Sequence, residues 1–222
     1  MNKTINSSPN ITYFSLSQSI ITLFISVMIS FLCVFAAFII WPDFLETNDA
    51  YSGALIFSIL IITVSLLHYK KFKSDTLKVM GITKKLPYRD IFTYSLIIVI
   101  CAEIFSQIFI SDFAVKSNES IAKTELWEAI IFSVVLAPIA EEFIFRQLLF
   151  VPMISKIGVV LATILTSLIW ASIHYDYPVM AQFSIFGAGL AYSYLRVKYK
   201  SILAPLIAHA VHNGIQIYLI FS

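Results

Sequence analysis

Residues 129–150 read AIIFSVVLAPIAEEFIFRQLLF, and this stretch decides the fold. It is long enough to cross the apolar core of a bilayer, which is about 30 Å thick and needs about 20 apolar residues in a helix. Three of its side chains, Glu141, Glu142 and Arg146, are charged. Charged groups inside a membrane are costly and usually face the interior of a helical bundle. The stretch therefore predicts a membrane-spanning helix with one polar face.

The rest of the chain has the same character. Of its 222 residues, 59% are hydrophobic and 13% are charged, whereas soluble domains have roughly 25% charged residues. The apolar residues fall into blocks of membrane-spanning length, which predicts an all-α fold, a polytopic transmembrane helical bundle of about seven spans. The predicted spans are residues 20–41, 50–67, 91–110, 129–150, 157–173, 180–195 and 202–221.

The distribution of cations predicts the orientation. A loop between the second and third spans contains seven basic residues, and by the positive-inside rule it is cytoplasmic. The net charge of +2 is small and scattered, which argues against a nucleic-acid partner. We expect a single membrane domain, in which residues 1–120 supply N-terminal helices and the basic loop, and residues 121–222 form the core that carries the polar side chains. The lipid bilayer is the predicted environment.

Three pairs of polar or aromatic residues recur at a spacing of four, which places each pair on one helix face. Glu142 and Arg146 are predicted to form an ion pair. Glu141 is rotated by about 100° from Glu142, so it is the candidate general base. The other two pairs are Trp170 with His174 and His209 with Asn213.

A glutamate, two histidines and an asparagine around one buried volume supply a base for water and donors for an oxyanion, which are the two requirements of peptide-bond hydrolysis. Glu141, His174 and His209 could instead ligate a divalent metal such as zinc, with water in an open position. The sequence permits a hydrolase with a metal and one without.

These pairs resemble the three motifs of the CPBP intramembrane proteases, a family that includes CAAX proteases and bacteriocin-processing enzymes and is also called Abi. The family's E-E-x-x-x-R motif is similar to Glu141–Arg146, its F-x-x-x-H motif to Trp170–His174, and its H-x-x-x-N motif to His209–Asn213. One position departs, because Trp170 stands where the family has phenylalanine. The resemblance covers residues 129–214. The family includes proteins named as metalloproteases.

The resemblance implies a role for each matching residue. Glu141 and His174 would activate the water, and His209 and Asn213 would stabilise the oxyanion, while Glu142 with Arg146 would support the site. The implied protein is an intramembrane endopeptidase of the bacterial cytoplasmic membrane that cuts a membrane-associated protein or peptide. The alternatives are a non-enzymatic bacteriocin immunity protein, a membrane scaffold, or a proton-coupled transporter, although no inverted repeat of the transporter type is present.

Other polar and small residues have simpler interpretations. His212 is offset from the His209 face and is predicted to be structural. His68 is expected at the membrane interface, and Tyr192 is expected to be an interfacial anchor. Gly187 begins a small-x-x-x-small pattern typical of helix packing. Glu103, an acid within an apolar run, is a functional candidate without an assigned role.

Overall fold

The computed structural model describes residues 14–40, 59, 62–63, 65–82, 85–109, 125–175 and 177–222. Within these ranges the secondary structure is helical and contains no strand, as predicted. The first helices are α1 (Leu16–Ile40), α2 (residues 65–72), a 3₁₀ turn (Lys73–Asp75), α3 (Thr76–Met80) and α4 (Tyr88–Phe109). The predicted second span, residues 50–67, lies largely outside the described residues.

The second half of the chain begins with one long helical stretch. It consists of α5 (Leu126–Ala129), a π-helical segment (Ile130–Leu136), α6 (Ala137–Glu141), a second π-helical segment (Glu142–Phe150) and α7 (Val151–Ser172). Two more helices follow, α8 (Val179–Tyr199) and α9 (Leu203–Phe221). π-Helical turns are rare and occur frequently at functional sites. Here one ends at Leu136, five residues before Glu141, and the other begins at Glu142.

Four helices in the described ranges are long and apolar enough to cross a membrane, so the predicted count of about seven is not confirmed. They are Leu16–Cys33, Tyr88–Phe109, Leu126–Ser172 and Leu203–Phe221. The predicted spans 129–150 and 157–173 fall within the third of these. The predicted span 180–195 lies in α8, which is a helix of sufficient length but carries Arg196 and Lys198 in its last turn.

The helical stretch Leu126–Ser172 reverses direction at Gly158. This glycine has φ 79° and ψ 165°, a conformation that is essentially restricted to glycine. A straight helix would separate Glu141 from Trp170, 29 residues later, by about 43 Å. Their side chains are instead hydrogen-bonded at 2.5 Å. The chain therefore folds back at Gly158, and the two predicted spans are antiparallel neighbours.

Helix α8 is central because it packs against α4, α7 and α9. Its residues Ala188, Tyr192 and Leu195 are buried and follow the three- and four-residue spacing of one helix face. They belong to the hydrophobic core, together with Ala204 and Ala208 of α9. Protein rather than lipid thus covers this face of α8.

Helix α1 packs against the π-helical segment Glu142–Phe150. A stripe of small polar side chains on α1 is buried, consisting of Ser19, Thr22, Ser26 and Ser30. The hydroxyls of Ser26 and Ser30 donate to main-chain carbonyls one turn earlier, at 2.8 and 2.9 Å. Small residues let membrane helices approach closely, so this stripe seats α1 on the segment that contains Glu142.

The basic loop contacts the turn between α8 and α9 through main-chain atoms. The main-chain N–H of Ile202 donates to the carbonyl of Met80 at 2.9 Å. Gly81 follows with φ 72°, and a Cβ at this position would lie 2.1 Å from the carbonyl oxygen of Lys200. The basic loop was predicted to be on the cytoplasmic side. The contact places the loop and the turn on the same side of the bundle.

The side chain of His68 does not extend out of the protein as a snorkelling side chain at the membrane interface would. His68 is fully buried among the rings of Phe14, Phe72 and Phe143, whose centroids lie 4.6 to 5.5 Å from its own. Burial, and secondarily the charge of Lys71, lowers the pKa of His68 to about 4. A neutral imidazole therefore belongs to the contact between α2 and the segment that carries Glu142.

Candidate active site

Glu142 and Arg146 form the predicted ion pair in the second π-helical segment. Arg146 Nε lies 3.4 Å from Glu142 Oε2, and both side chains are completely buried. The guanidinium also donates from Nη2 to the carbonyl of Gly189 at 3.2 Å. It lies over the rings of Trp170, 4.6 Å from the centroid, and Tyr192, at 5.5 Å. Arg146 thus connects the glutamate helix to α7 and α8.

His209 lies between the two glutamates. Its Nδ1 is 3.0 Å from Glu142 Oε1, and its Nε2 is 4.0 Å from Glu141 Oε2. Because the Glu142 carboxylate is paired with Arg146, it acts as an acceptor and the Nδ1–H donates to it. In neutral His209 the Nε2 then presents a lone pair toward Glu141. In doubly protonated His209 the same nitrogen presents an N–H.

Glu141 is bound by the indole of Trp170. The Nε1–H of Trp170 donates to Glu141 Oε2 at 2.5 Å. The Glu141 side chain is 12% exposed, whereas that of Glu142 is completely buried. Among the described residues, no hydrogen bond occupies Glu141 Oε1. One oxygen of the candidate base is therefore fixed by the protein and the other is available to an incoming molecule.

His174 lies just beyond the end of α7 and contacts Trp170 in two ways. Its ring lies edge-on to the indole, with centroids 5.4 Å apart, as the spacing predicted. Its Nδ1 is 2.8 Å from the main-chain oxygen of Trp170. A carbonyl oxygen only accepts hydrogen bonds, so Nδ1 carries the proton and Nε2 has a free lone pair. This tautomer can accept a proton or a hydrogen bond from water.

Asn213 is placed differently from the other predicted site residues. Its Nδ2 donates to the main-chain oxygen of Ser133 at 2.7 Å, about two helical turns before Glu141. The direct contacts of the described residues join Glu141, Glu142, Arg146, Trp170 and His209, and Trp170 adds His174. Asn213 is joined instead to the first π-helical segment, on the same helix face as His209.

The metal-ligand set suggested by the sequence was Glu141, His174 and His209. Within the part of the chain that the structure describes, no group of three or more His, Cys, Asp or Glu side chains is arranged to hold a metal ion. The hydrogen bonds of these side chains leave Glu141 Oε1, His174 Nε2 and, in the neutral imidazole, His209 Nε2 without a partner among the described residues. The described side chains do not bring three such donors to one point, however, and as placed they do not fit a three-ligand zinc site.

Three contacts near the site were not predicted from the sequence. Tyr192 is fully buried rather than interfacial, and its ring is stacked on His209 with centroids 5.0 Å apart. Its hydroxyl is 2.9 Å from His212 Nδ1. Gly189, rather than Gly187, is the close-packed glycine. The only sequence signal for these contacts was that several glycine and tyrosine residues lie close together in α8.

Glu103 also has a partner. The side chain of Gln216 in α9 donates to the Glu103 carboxylate in α4, and both residues are partly buried. This hydrogen bond joins two adjacent membrane helices. Glu103 thus forms an interhelical link separate from the cluster around Glu141.

Comparison with known proteins finds a family match for the part of the chain that contains this cluster. Residues 123–215 match the family described as type II CAAX prenyl endopeptidase Rce1-like. The resemblance to CAAX proteases is therefore confirmed. Every predicted site residue, from Glu141 to Asn213, lies in this Rce1-like segment.

Two curated bacterial proteins are similar to part of the chain. The membrane-embedded CAAX protease MroQ of Staphylococcus aureus is 31% identical over 91 residues, which cover 38% of this chain and 36% of MroQ. The putative membrane peptidase YdiL of Bacillus subtilis is 32% identical over 84 residues, covering 38% of this chain and 34% of YdiL. The matches thus span about a third of the length of these relatives.

No solved structure matches the chain closely enough to be informative. The four apolar helices and the similarity to membrane proteins identify an integral membrane protein with an Rce1-like segment.

Proposed function

We propose that this protein is an intramembrane endopeptidase in which Glu141 activates a water molecule. The observation that carries the proposal is the buried cluster of Glu141, Glu142, Arg146, Trp170 and His209, assembled from four helical segments of a membrane protein. Ionisable groups inside a membrane are costly and are commonly functional. The Rce1-like match and the names of the two relatives support peptide-bond hydrolysis as that function.

In the first step, Glu141 Oε1 and His174 Nε2 orient a water molecule in front of the scissile carbonyl. Glu141 takes one proton from the water while the water oxygen forms a bond to the carbonyl carbon. The carbonyl oxygen becomes an oxyanion. Glu141 then gives the proton to the leaving nitrogen while the oxyanion re-forms the carbonyl and the C–N bond breaks, which yields a carboxylic acid and an amine. The acid passes its remaining proton to the amine, and the products are a carboxylate and an ammonium group.

The oxyanion would be stabilised by His209 and Asn213. His209 can donate through Nε2 only when it is doubly protonated, since Nδ1–H is used by Glu142. With Arg146, this imidazolium would balance the charges of the two carboxylates. Asn213 uses one amide proton for Ser133 O and retains a second. Preorganised donors of this kind stabilise the charge that develops in the transition state.

Glu142 and Arg146 would act by holding His209. The Glu142 carboxylate accepts the Nδ1–H of His209, and Arg146 fixes that carboxylate from the opposite oxygen. This arrangement orients the imidazole so that Nε2 faces Glu141. Neither Glu142 nor Arg146 then needs to touch the substrate.

The proposed reaction requires no step through a metal, because the donors as placed do not form a zinc site. Purified protein should therefore retain cleavage after treatment with a strong zinc chelator, and elemental analysis should find less than one bound zinc per chain. Loss of cleavage on chelation, with recovery on adding zinc, would show that Glu141, His174 and His209 rearrange into a metal site.

We propose a membrane-associated protein or peptide of the bacterial cytoplasmic membrane as the substrate class. The cluster lies among apolar helices of a membrane protein, which favours a substrate presented at the bilayer. MroQ is described as a membrane-embedded CAAX protease. Its name supports a substrate presented at the membrane.

The test uses cells that produce wild-type protein, Glu141→Gln or Glu103→Gln. We expect protein termini in the membrane fraction that depend on Glu141 and persist in the Glu103→Gln cells, because Glu103 bonds to Gln216 and not to the cluster. Equal levels of the three proteins in the membrane control for folding. Identical sets of termini in wild-type and Glu141→Gln cells would contradict the proposal and favour a non-enzymatic immunity or scaffold role.

A further inference from the structure

Trp170 occupies the aromatic position at which the resembled motif has phenylalanine. Phenylalanine supplies a ring but no hydrogen-bond donor, whereas the tryptophan indole has one N–H. In this chain that N–H is directed at the candidate base, 2.5 Å from Glu141 Oε2. The departure from the motif therefore adds a contact that phenylalanine cannot make.

The indole is held from several sides. Trp170 is 3% exposed, the edges of His174 and His209 each lie 5.4 Å from its centroid, and the Arg146 guanidinium covers one face. A Cβ added to Gly189 would lie 3.0 Å from Trp170 Cε3. The direction of the N–H is thus set before any substrate binds.

The main chain of Trp170 also holds His174, since its carbonyl accepts the Nδ1–H of that imidazole. The two groups proposed to orient water, Glu141 and His174, are therefore bound by the same residue. The indole N–H leaves Glu141 Oε1 available, and the carbonyl leaves His174 Nε2 available.

We infer that Trp170 is a positioning residue for water activation, in which the indole N–H fixes the Glu141 carboxylate and the main-chain carbonyl fixes the His174 imidazole. This inference rests on the proposed function. It assigns the indole nitrogen a role that the ring alone cannot perform. Pre-fixed hydrogen bonds stabilise a transition state without reorganisation during the reaction.

The decisive variant replaces Trp170 with benzothienylalanine, which keeps the bicyclic shape and removes the N–H. We expect kcat to fall at least about tenfold with KM nearly unchanged, because the variant loses a hydrogen bond to the charged Glu141 carboxylate. Trp170→Phe should show the same loss. Trp127→Phe is the matched control, because Trp127 is about half exposed and remote from the cluster.

A second measurement detects the hydrogen bond between the Trp170 indole and Glu141 and does not depend on enzyme activity. In the nitrogen-15 spectrum of the full-length protein, the indole proton of Trp170 should be strongly downfield and should move upfield in Glu141→Leu. A wild-type kcat for the benzothienylalanine variant, or an unmoved indole proton in Glu141→Leu, would overturn the inference. These outcomes differ from a failure of the proposed function. In that case Glu141→Gln would still cleave, while the indole signal of the wild type would still show the Trp170–Glu141 hydrogen bond.

Discussion

Arg146 shows how strongly a single residue is constrained by its partners. Its guanidinium faces a carboxylate, a main-chain carbonyl and two aromatic rings in a completely buried environment. Removing one partner of a buried ion pair leaves an uncompensated charge, which costs about 3 to 5 kcal/mol. Arginine is also the only cation with a planar fork that stacks on rings.

We predict that Arg146→Leu lowers the thermal unfolding midpoint in detergent by several degrees and abolishes cleavage, because Glu142 is left buried without a cation. Arg146→Lys should recover only part of the stability, since an ammonium cannot contact Glu142, Gly189 O and the rings together. The exposed Arg89 provides a control, and Arg89→Leu should behave like wild type. A stable, active Arg146→Leu protein would show that the ion pair is dispensable.

His68 gives the prediction of pH dependence. Its pKa is lowered from 6.5 to about 4 in the folded protein, so the unfolded state binds more protons between these values. Stability contributed by neutral His68 is therefore fully present above pH about 6.5 and declines as the pH falls toward 4. The total loss should be on the order of 3 kcal/mol.

The measurement is the unfolding midpoint as a function of pH for wild type and His68→Phe. The phenylalanine should fit among Phe14, Phe72 and Phe143 and remove this titration, so the variant should lose less stability on acidification. Parallel pH curves for the two proteins would show that His68 does not titrate across this window.

Among the elements, the contact between α7 and α8 sets the position of Trp170. A Cβ at Gly189 would lie 2.9 Å from Ser167 Cβ and 3.0 Å from the indole, whereas no atom of the described residues lies within 4 Å of the corresponding position at Gly187. The predicted small-x-x-x-small pattern therefore identified the correct helix but the wrong glycine. Spacing alone could not show which face of α8 receives the indole.

We predict that Gly189→Ala displaces Trp170, reduces cleavage at least about tenfold and destabilises the fold by about 1 to 3 kcal/mol through overpacking. Gly187→Ala adds the same methyl group in open space and should leave activity unchanged. Cleavage rates and unfolding midpoints of the two variants form the measurement. Equal behaviour of the two proteins would show that the close approach at Gly189 does not constrain the indole.

The elements also show what sequence spacing can predict. The Glu142–Arg146 and Trp170–His174 contacts lie within about one helical turn, so local periodicity was sufficient for both. The Trp170–Glu141 and His209–Glu142 contacts join different helices, and their geometry depends on the reversal at Gly158 and on how α7 and α9 pack. The π-helical winding around the glutamates had no recognisable sequence signal.

At the scale of the whole molecule, hydropathy predicted an all-helical membrane protein but did not determine the number of spans. Helix α8 illustrates the reason, because its inward face is covered by neighbouring helices and its last turn is charged, so its average composition is less apolar than that of its neighbours. The polar residues of the spaced pairs were predicted to surround one buried volume. The spacing did not indicate that Asn213 binds Ser133 O instead of joining the glutamate cluster.

The cluster around Glu141 should hydrolyse a peptide bond with water, and oxygen-18 water tests this most directly. Purified wild-type protein in lipid vesicles would be incubated in this solvent with a peptide that spans a Glu141-dependent terminus. We predict that one oxygen-18 atom enters the new carboxylate during cleavage by wild type and that Glu141→Gln gives no product above background. Cleavage by Glu141→Gln at the wild-type rate would contradict the assignment of Glu141 as the base.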